Sequence, residues 1–72
     1  MTERKATRLI KEGRFVAEID VTLIEEEHEW APYLAGGDVR KLDDVRMALR
    51  RGEISKAAKL AHVYELMPVA AE

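Results

Sequence analysis

Apolar and polar residues alternate from Phe15 to Ile24. Phe15, Ala17, Ile19, Val21 and Leu23 fall on one side, with Glu18, Asp20 and Thr22 on the other. A period of two in a run rich in β-branched residues predicts a half-buried strand. Residues 5 to 10 (Lys-Ala-Thr-Arg-Leu-Ile) fit either a strand or one to two helical turns. The strand is preferred, because Glu12-Gly13 supplies the residue a hairpin turn needs, and Lys5 and Arg8 would then lie near Glu18 and Asp20. A short amphipathic helix is the alternative.

The period changes after the Gly36-Gly37 breaker. Val39, Leu42, Val45, Ala48 and Leu49 recur at intervals of three and four, which predicts an amphipathic helix with Asp38 as its N-cap. Gly52 ends it, and Arg50-Arg51 sit on the negative end of the helix dipole. A second, shorter helix is predicted over residues 54–61, where Ile54, Ala57, Ala58 and Ala61 share a face. Residues 62–69 read as a strand that is apolar on both sides, hence one placed between other strands or against a subunit, with Pro68 at an edge or at its end. Between the strand and the first helix, Glu25, Glu26, Glu27, His28 and Glu29 form a solvated loop of like charges. Trp30 and Tyr33 bracket Pro32, and the two rings either cover the edge of the core or anchor a partner.

These elements predict one α+β domain over residues 1–72, in the order β-β-α-α-β, with an antiparallel sheet covered on one face by the helices. The expected core joins the Phe15 side of the second strand to the Leu42, Val45, Leu49 face of the long helix. Ordering the chain costs roughly 1.5 kcal/mol per residue, which a core this small only just offsets. A homodimer is therefore expected, with residues 63–69 or their neighbours in the interface. Neither a disulfide nor a thiolate zinc site is available, because the chain has no cysteine. No run is long enough to span a membrane and no secretory leader is visible, so the expectation is a soluble, cytoplasmic, bacterial protein.

The net charge of −2 conceals segregated blocks. Residues 1 to 14 carry five basic and two acidic side chains, residues 15 to 38 seven acidic and no basic ones, and residues 39 to 62 seven basic and three acidic. Such blocks either neutralise each other within the fold or offer a docking surface to a partner of opposite sign. The acidic block puts Glu25, Glu26 and Glu27 beside Trp30 and Tyr33 as candidate partner-binding residues. The basic helices offer Arg46, Arg50, Arg51, Lys56 and Lys59 as a nucleic-acid alternative, and Arg4, Lys5, Arg8, Lys11 and Arg14 would make a second stripe. Against nucleic acid stand the acidic net charge and a second helix too short for helix-turn-helix reading.

Chemistry has little to work with. His28 among glutamates lacks metal-ligand spacing, since consecutive loop residues cannot all face one ion. His62 with Glu65, or the Asp43-Asp44 pair, is a weak acid-base sketch. Ser55, the only serine, reads as part of a helix cap, and Gly36-Gly37 matches no phosphate-binding loop. The expectation is a protein that is not an enzyme, with no catalytic residue, no cofactor and no metal.

The run Trp30-Ala31-Pro32-Tyr33-Leu34, then Asp38, Lys41-Leu42-Asp43, Val45-Arg46, Ala48-Leu49-Arg50-Arg51-Gly52, and the closing Val63-Tyr64-Glu65-Leu66 with Pro68-Val69, resembles a group of small bacterial proteins of similar length. The resemblance covers nearly the whole chain. It departs at Ala35-Gly36-Gly37, where the relatives tend to carry a Ser/Leu/Glu-type lead into the helix. Some of these proteins look like antitoxin-type partners of small toxins. The resemblance thus implies a fold and a genetic style rather than a mechanism, and it brings no active site. The function expected from the whole reading is a non-catalytic protein-interaction module, an antitoxin-like partner of a small bacterial protein or a homodimeric regulator, with a small nucleic-acid-binding regulator as the alternative.

Overall fold

A computed structural model describes residues 1–28 and 30–70; Glu29 and Glu72, which enter the charge pattern, lie outside the described residues. The element order is β1 (Thr2–Glu12), β2 (Phe15–Glu25), β3 (Tyr33–Leu34), α1 (Gly36–Arg50), α2 (Ile54–Ala58) and β4 (His62–Glu65). The fold is α+β, an antiparallel four-stranded sheet whose one face carries both helices. Residues 5 to 10 are strand, not helix, and β1 runs well beyond them at both ends.

The hairpin of β1 and β2 is the frame. All eleven residues of β1 pair with β2, from Thr2 opposite Glu25 to Glu12 opposite Phe15, closed by the two-residue turn Gly13-Arg14. Gly13 has φ +61° and Arg14 does not have a positive φ, which is the pattern of a type II′ turn matched to strand twist. This register puts Arg8 opposite Ile19 on the helix side, so only Lys5 shares a face with Glu18 and Asp20; the expected neighbourhood of Arg8 is corrected.

On the other side of β2, two short strands share one edge. β3 pairs with Leu23 and Ile24, and β4 pairs with residues 15–18 at the opposite end. β3 is absent from the expected order. β4 is also shorter than residues 62–69 and pairs with β2 alone, so it does not lie between strands. Its two apolar sides have different causes: Val63 packs on the core, while Tyr64 lies on the uncovered sheet face, 52% exposed.

The core is as expected along β2. Ala17, Ile19, Val21 and Leu23 are buried, with Ile10 from β1, Val45, Ala48 and Leu49 from α1 and Ala57 from α2. Leu42 is half-buried and Val39 exposed, because the first turns of α1 pass beyond the densest packing. Over Phe15, the Arg14 guanidinium carbon stands 5.7 Å from the ring centroid, a cation–π contact at the turn.

Both helix ends differ from simple caps. Ala35, not Asp38, occupies the N-cap of α1, and no side chain caps it. At the C-terminus, Glu53 N–H donates to Ala48 C=O (2.8 Å) and Gly52 N–H to Leu49 C=O (3.2 Å), the paired bonds of a Schellman motif. Gly52 takes φ +74° to allow them. Five residues of helix follow, because Lys59 N–H and Leu60 N–H bond back three residues and tighten the chain into β4, so the predicted 54–61 helix ends at Ala58.

A Cβ would find open space at Gly37 and at Gly52 alike, so backbone conformation alone sets the sign of a substitution. Gly52→Ala is expected to lose about 1 to 2 kcal/mol, the strain of a left-handed L-residue. Gly37→Ala, in a helical turn, is expected to gain about 0.4 to 1 kcal/mol by restricting the unfolded chain. Urea midpoints moving in opposite directions check this, and a common direction would contradict it.

Candidate protein-docking surface

The end of the sheet away from the hairpin turn gathers the acidic and aromatic residues. β2 leaves the sheet at Glu25, residues 26–28 and 30–32 lie outside the strands as loop, and the chain returns as β3 alongside Leu23 and Ile24. The pairing forces the sides: Leu34 lies with Leu23 toward the core, and Tyr33 lies with Ile24 on the uncovered face. The Tyr33 hydroxyl donates to Glu26 Oε1 at 2.7 Å, which ties the two ends of the loop together.

Trp30 is 100% exposed and Tyr33 43%. Covering the core edge is therefore not what the Trp30 ring does, and that expectation is corrected. The general tendency of aromatics to be buried fails here because the loop extends past the end of the sheet, where no second layer reaches it. Glu26, Glu27 and His28 are exposed beside it, while Glu25 is half-buried and pairs with Arg4 at 3.1 Å. The predicted set thus divides: Trp30, Tyr33, Glu26 and Glu27 form one loop surface, and Glu25 belongs to the hairpin.

The basic alternative divides further. Arg50 Nε lies 3.0 Å from Glu12 at the hairpin end, and Arg46 lies 3.3 Å from Asp43. Both are engaged with carboxylates. Lys56 and Lys59 border an open depression of about 670 Å³ with Gly52, Ile54, Ser55 and Leu60. Arg51 lies on an adjoining one with Met47, Asp44 and Glu53, and Lys56 is 3.8 Å from Glu53. Five cations spread over two sides, three of them beside carboxylates, do not form the stripe drawn from the sequence. On β1, Arg4 and Arg8 likewise face away from Lys5 and Lys11.

His62 and Glu65 also separate. Strand alternation puts His62 opposite Glu18 on the uncovered face, while Glu65 turns to the other side and meets Arg14 Nε at 3.0 Å. Among the described residues no three His, Cys, Asp or Glu side chains come together as a metal site. No described helix is long and apolar enough to cross a membrane.

Asp38 has a role the sequence reading missed. Its Oδ2 accepts the Thr22 N–H at 2.7 Å, and Ala35 N–H donates to the Thr22 C=O at 3.1 Å. These bonds fill the gap between β3 and β4, where β2 has no strand neighbour on that side. Lys41 Nζ extends the patch with a 3.4 Å bond to the Asp20 C=O. Asp38 thereby fixes the start of α1, and with it the return of the aromatic loop. No family model matches the chain, and no curated protein or solved structure matches it either.

Proposed function

We infer that this protein is a non-catalytic interaction module, an antitoxin-like partner of a small basic protein or a homodimeric regulator, that docks through the Trp30, Tyr33, Glu26, Glu27 loop. The observation that carries the reading is the complete exposure of Trp30 in a segment that also exposes Glu26 and Glu27. A tryptophan held in water costs hydrophobic free energy that a partner's pocket would recover, and indole anchors are among the strongest interface contacts. Carboxylates around such an anchor favour a cationic partner and speed its approach. The resemblance to small bacterial proteins with antitoxin-type members supports the same class.

The test is co-expression with the product of the neighbouring gene, followed by affinity capture. Trp30→Ala with Tyr33→Ala is expected to abolish capture with circular dichroism unchanged. Capture undiminished by the double substitution would overturn the loop as the docking surface. The alternative, a small nucleic-acid-binding regulator, draws support from Arg51, Lys56 and Lys59 around the joined depressions at the α1–α2 corner. Titration against the protein's own upstream DNA at two salt concentrations decides between them. Weak, non-specific, salt-sensitive binding is expected. A tight, sequence-preferring complex lost on changing Arg51, Lys56 and Lys59 to Glu would establish the alternative instead.

A further inference from the structure

β1 is the outer strand of the sheet, paired with β2 on one side only. Its eleven residues span roughly 36 Å at about 3.3 Å each, about twice the usual strand length. Which of its backbone groups are free follows from β2. Thr22 turns both its N–H and its C=O away from β1, toward Asp38 and Ala35. Even-numbered residues of β2 therefore face away from β1, and odd-numbered ones bond to it. By the register, the even residues of β1 face β2, so Glu3, Lys5, Thr7, Leu9 and Lys11 turn their N–H and C=O groups outward. Among the described residues no backbone hydrogen bond reaches them. A free edge of this length, unbroken by a bulge or proline, is a template for another strand.

Natural edges are commonly guarded by lysine, and Lys5 and Lys11 fit that description. The charge order, however, is self-complementary. We propose that two copies of this chain pair antiparallel along β1, with Thr7 on the two-fold axis, to make one continuous eight-stranded sheet. In that register Glu3 lies opposite Lys11 of the second copy, and Lys11 opposite its Glu3. Lys5 lies opposite Leu9, Ala6 opposite Arg8, Arg4 opposite Ile10, and Thr2 opposite Glu12. No like charges stand directly opposite, and every residue of β1 has a partner. Arg8 meets Arg8 of the second copy only on the diagonal, where both exposed side chains can diverge into water.

Neighbouring registers set like charges against each other or shorten the contact. Outward backbone groups must face outward ones, so the centre moves by whole residues along the symmetric series. Centring on Ala6 puts Arg4 opposite Arg8 twice. Centring on Arg8 puts Lys5 opposite Lys11 twice and Arg8 against itself. Centring on Leu9 avoids like charges but pairs only residues 6 to 12 and leaves Glu3 and Lys5 unpartnered. Like charges directly opposite destabilise a strand pair, so the Thr7 register combines full length with charge agreement. Leu9, 67% exposed in the single chain, then covers the Lys5 methylene stem. This contact is separate from the Trp30 loop and does not depend on its reading.

Sedimentation equilibrium and residue-resolved amide exchange on the full chain test the proposal. The wild type is expected to dimerise, with the amides of Glu3, Lys5, Thr7, Leu9 and Lys11 becoming protected as concentration rises. Glu3→Lys sets cations against each other at both ends of the contact and should raise the dimer dissociation constant by about tenfold. Adding Lys11→Glu should restore it to within about threefold of wild type. Thr7→Pro, which removes an outward N–H and spares the bonds to β2, should give a monomer that keeps its sheet signal. A monomeric wild type, or a dimer that ignores Glu3→Lys and Thr7→Pro and protects residues 64–69 instead, would overturn the proposal.

Discussion

Leu49→Ala is expected to unfold a large fraction of the protein at room temperature. Leu49 is 5% exposed on the face of α1 that meets the sheet, packed in one cluster with Val45, Ile19 and Ile10. Truncating a leucine at such a site loses the transfer free energy of its side chain and leaves a cavity, together about 2 to 5 kcal/mol. A single small core rarely supplies more than about 3 to 5 kcal/mol in total, so the loss is comparable to the whole stability. Leu42→Ala, half-buried about two turns nearer the exposed start of the helix, should cost less. Arg50→Ala removes a solvent-exposed ion pair to Glu12 and should cost under about 1 kcal/mol. Urea midpoints that fall in the order Leu49, Leu42, Arg50 support this packing. Three equal small shifts would mean that α1 is rotated from the face described.

The long elements were legible because each declares itself over many residues. β2 repeats its period of two five times, and α1 carries a breaker before it, a three-four pattern within it and Gly52 after it. The failures concern contacts distant in sequence. β3 is two residues long, and only pairing with Leu23 and Ile24 makes it a strand. The aromatic alternation of Tyr33 and Leu34 was the available signal, and it is too short to exceed chance. Residues 62–69 look apolar on both sides because one side meets the core and the other lies on the bare sheet face, a distinction no periodicity carries. For the candidate site, composition pointed to the Trp30 and Tyr33 segment, while the exposure of Trp30 depends on where the layers end.

The charge blocks need the same correction. Neutralisation within the fold is real but local: Arg4 with Glu25, Arg14 with Glu65 and Arg50 with Glu12 tie the basic segments to carboxylates at the margins of the hairpin. Arg4–Glu25 joins β1 to β2, Arg14–Glu65 joins the hairpin turn to β4 and Arg50–Glu12 joins α1 to β1, and each is exposed enough to contribute little stability. Glu26 and Glu27, at the opposite end of the sheet from Arg14 and Arg50, belong to none of these three pairs. The turn end of the hairpin thus holds two of the three pairs, and the loop end holds the third together with the exposed Glu26 and Glu27.

Asp38→Ala is expected to be the most damaging change of a charged residue. Its carboxylate holds the N–H of Thr22, a part-buried backbone donor in the one stretch of β2 that neither β3 nor β4 covers. Removing the acceptor leaves that donor unsatisfied. Hydrogen bonds to a charged group contribute about 1.5 to 3 kcal/mol, and a carboxylate in the first turn of a helix adds about 0.3 to 1 kcal/mol through the dipole. Asp38→Asn keeps an acceptor oxygen and loses the charge, so it should recover roughly half of the loss. Asp43→Ala, on the same helix but exposed and paired only with Arg46, is the control and should cost under about 1 kcal/mol. Alongside urea unfolding, the Thr22 amide should exchange faster in Asp38→Ala than in the control. Because the same contact positions Ala35 and hence the return of the loop, Asp38→Ala should also loosen the Tyr33 to Glu26 bond, seen as a change in tyrosine fluorescence. If Asp38→Ala and Asp43→Ala are equally mild and Thr22 exchange is unchanged, the carboxylate is not what anchors α1 to the sheet.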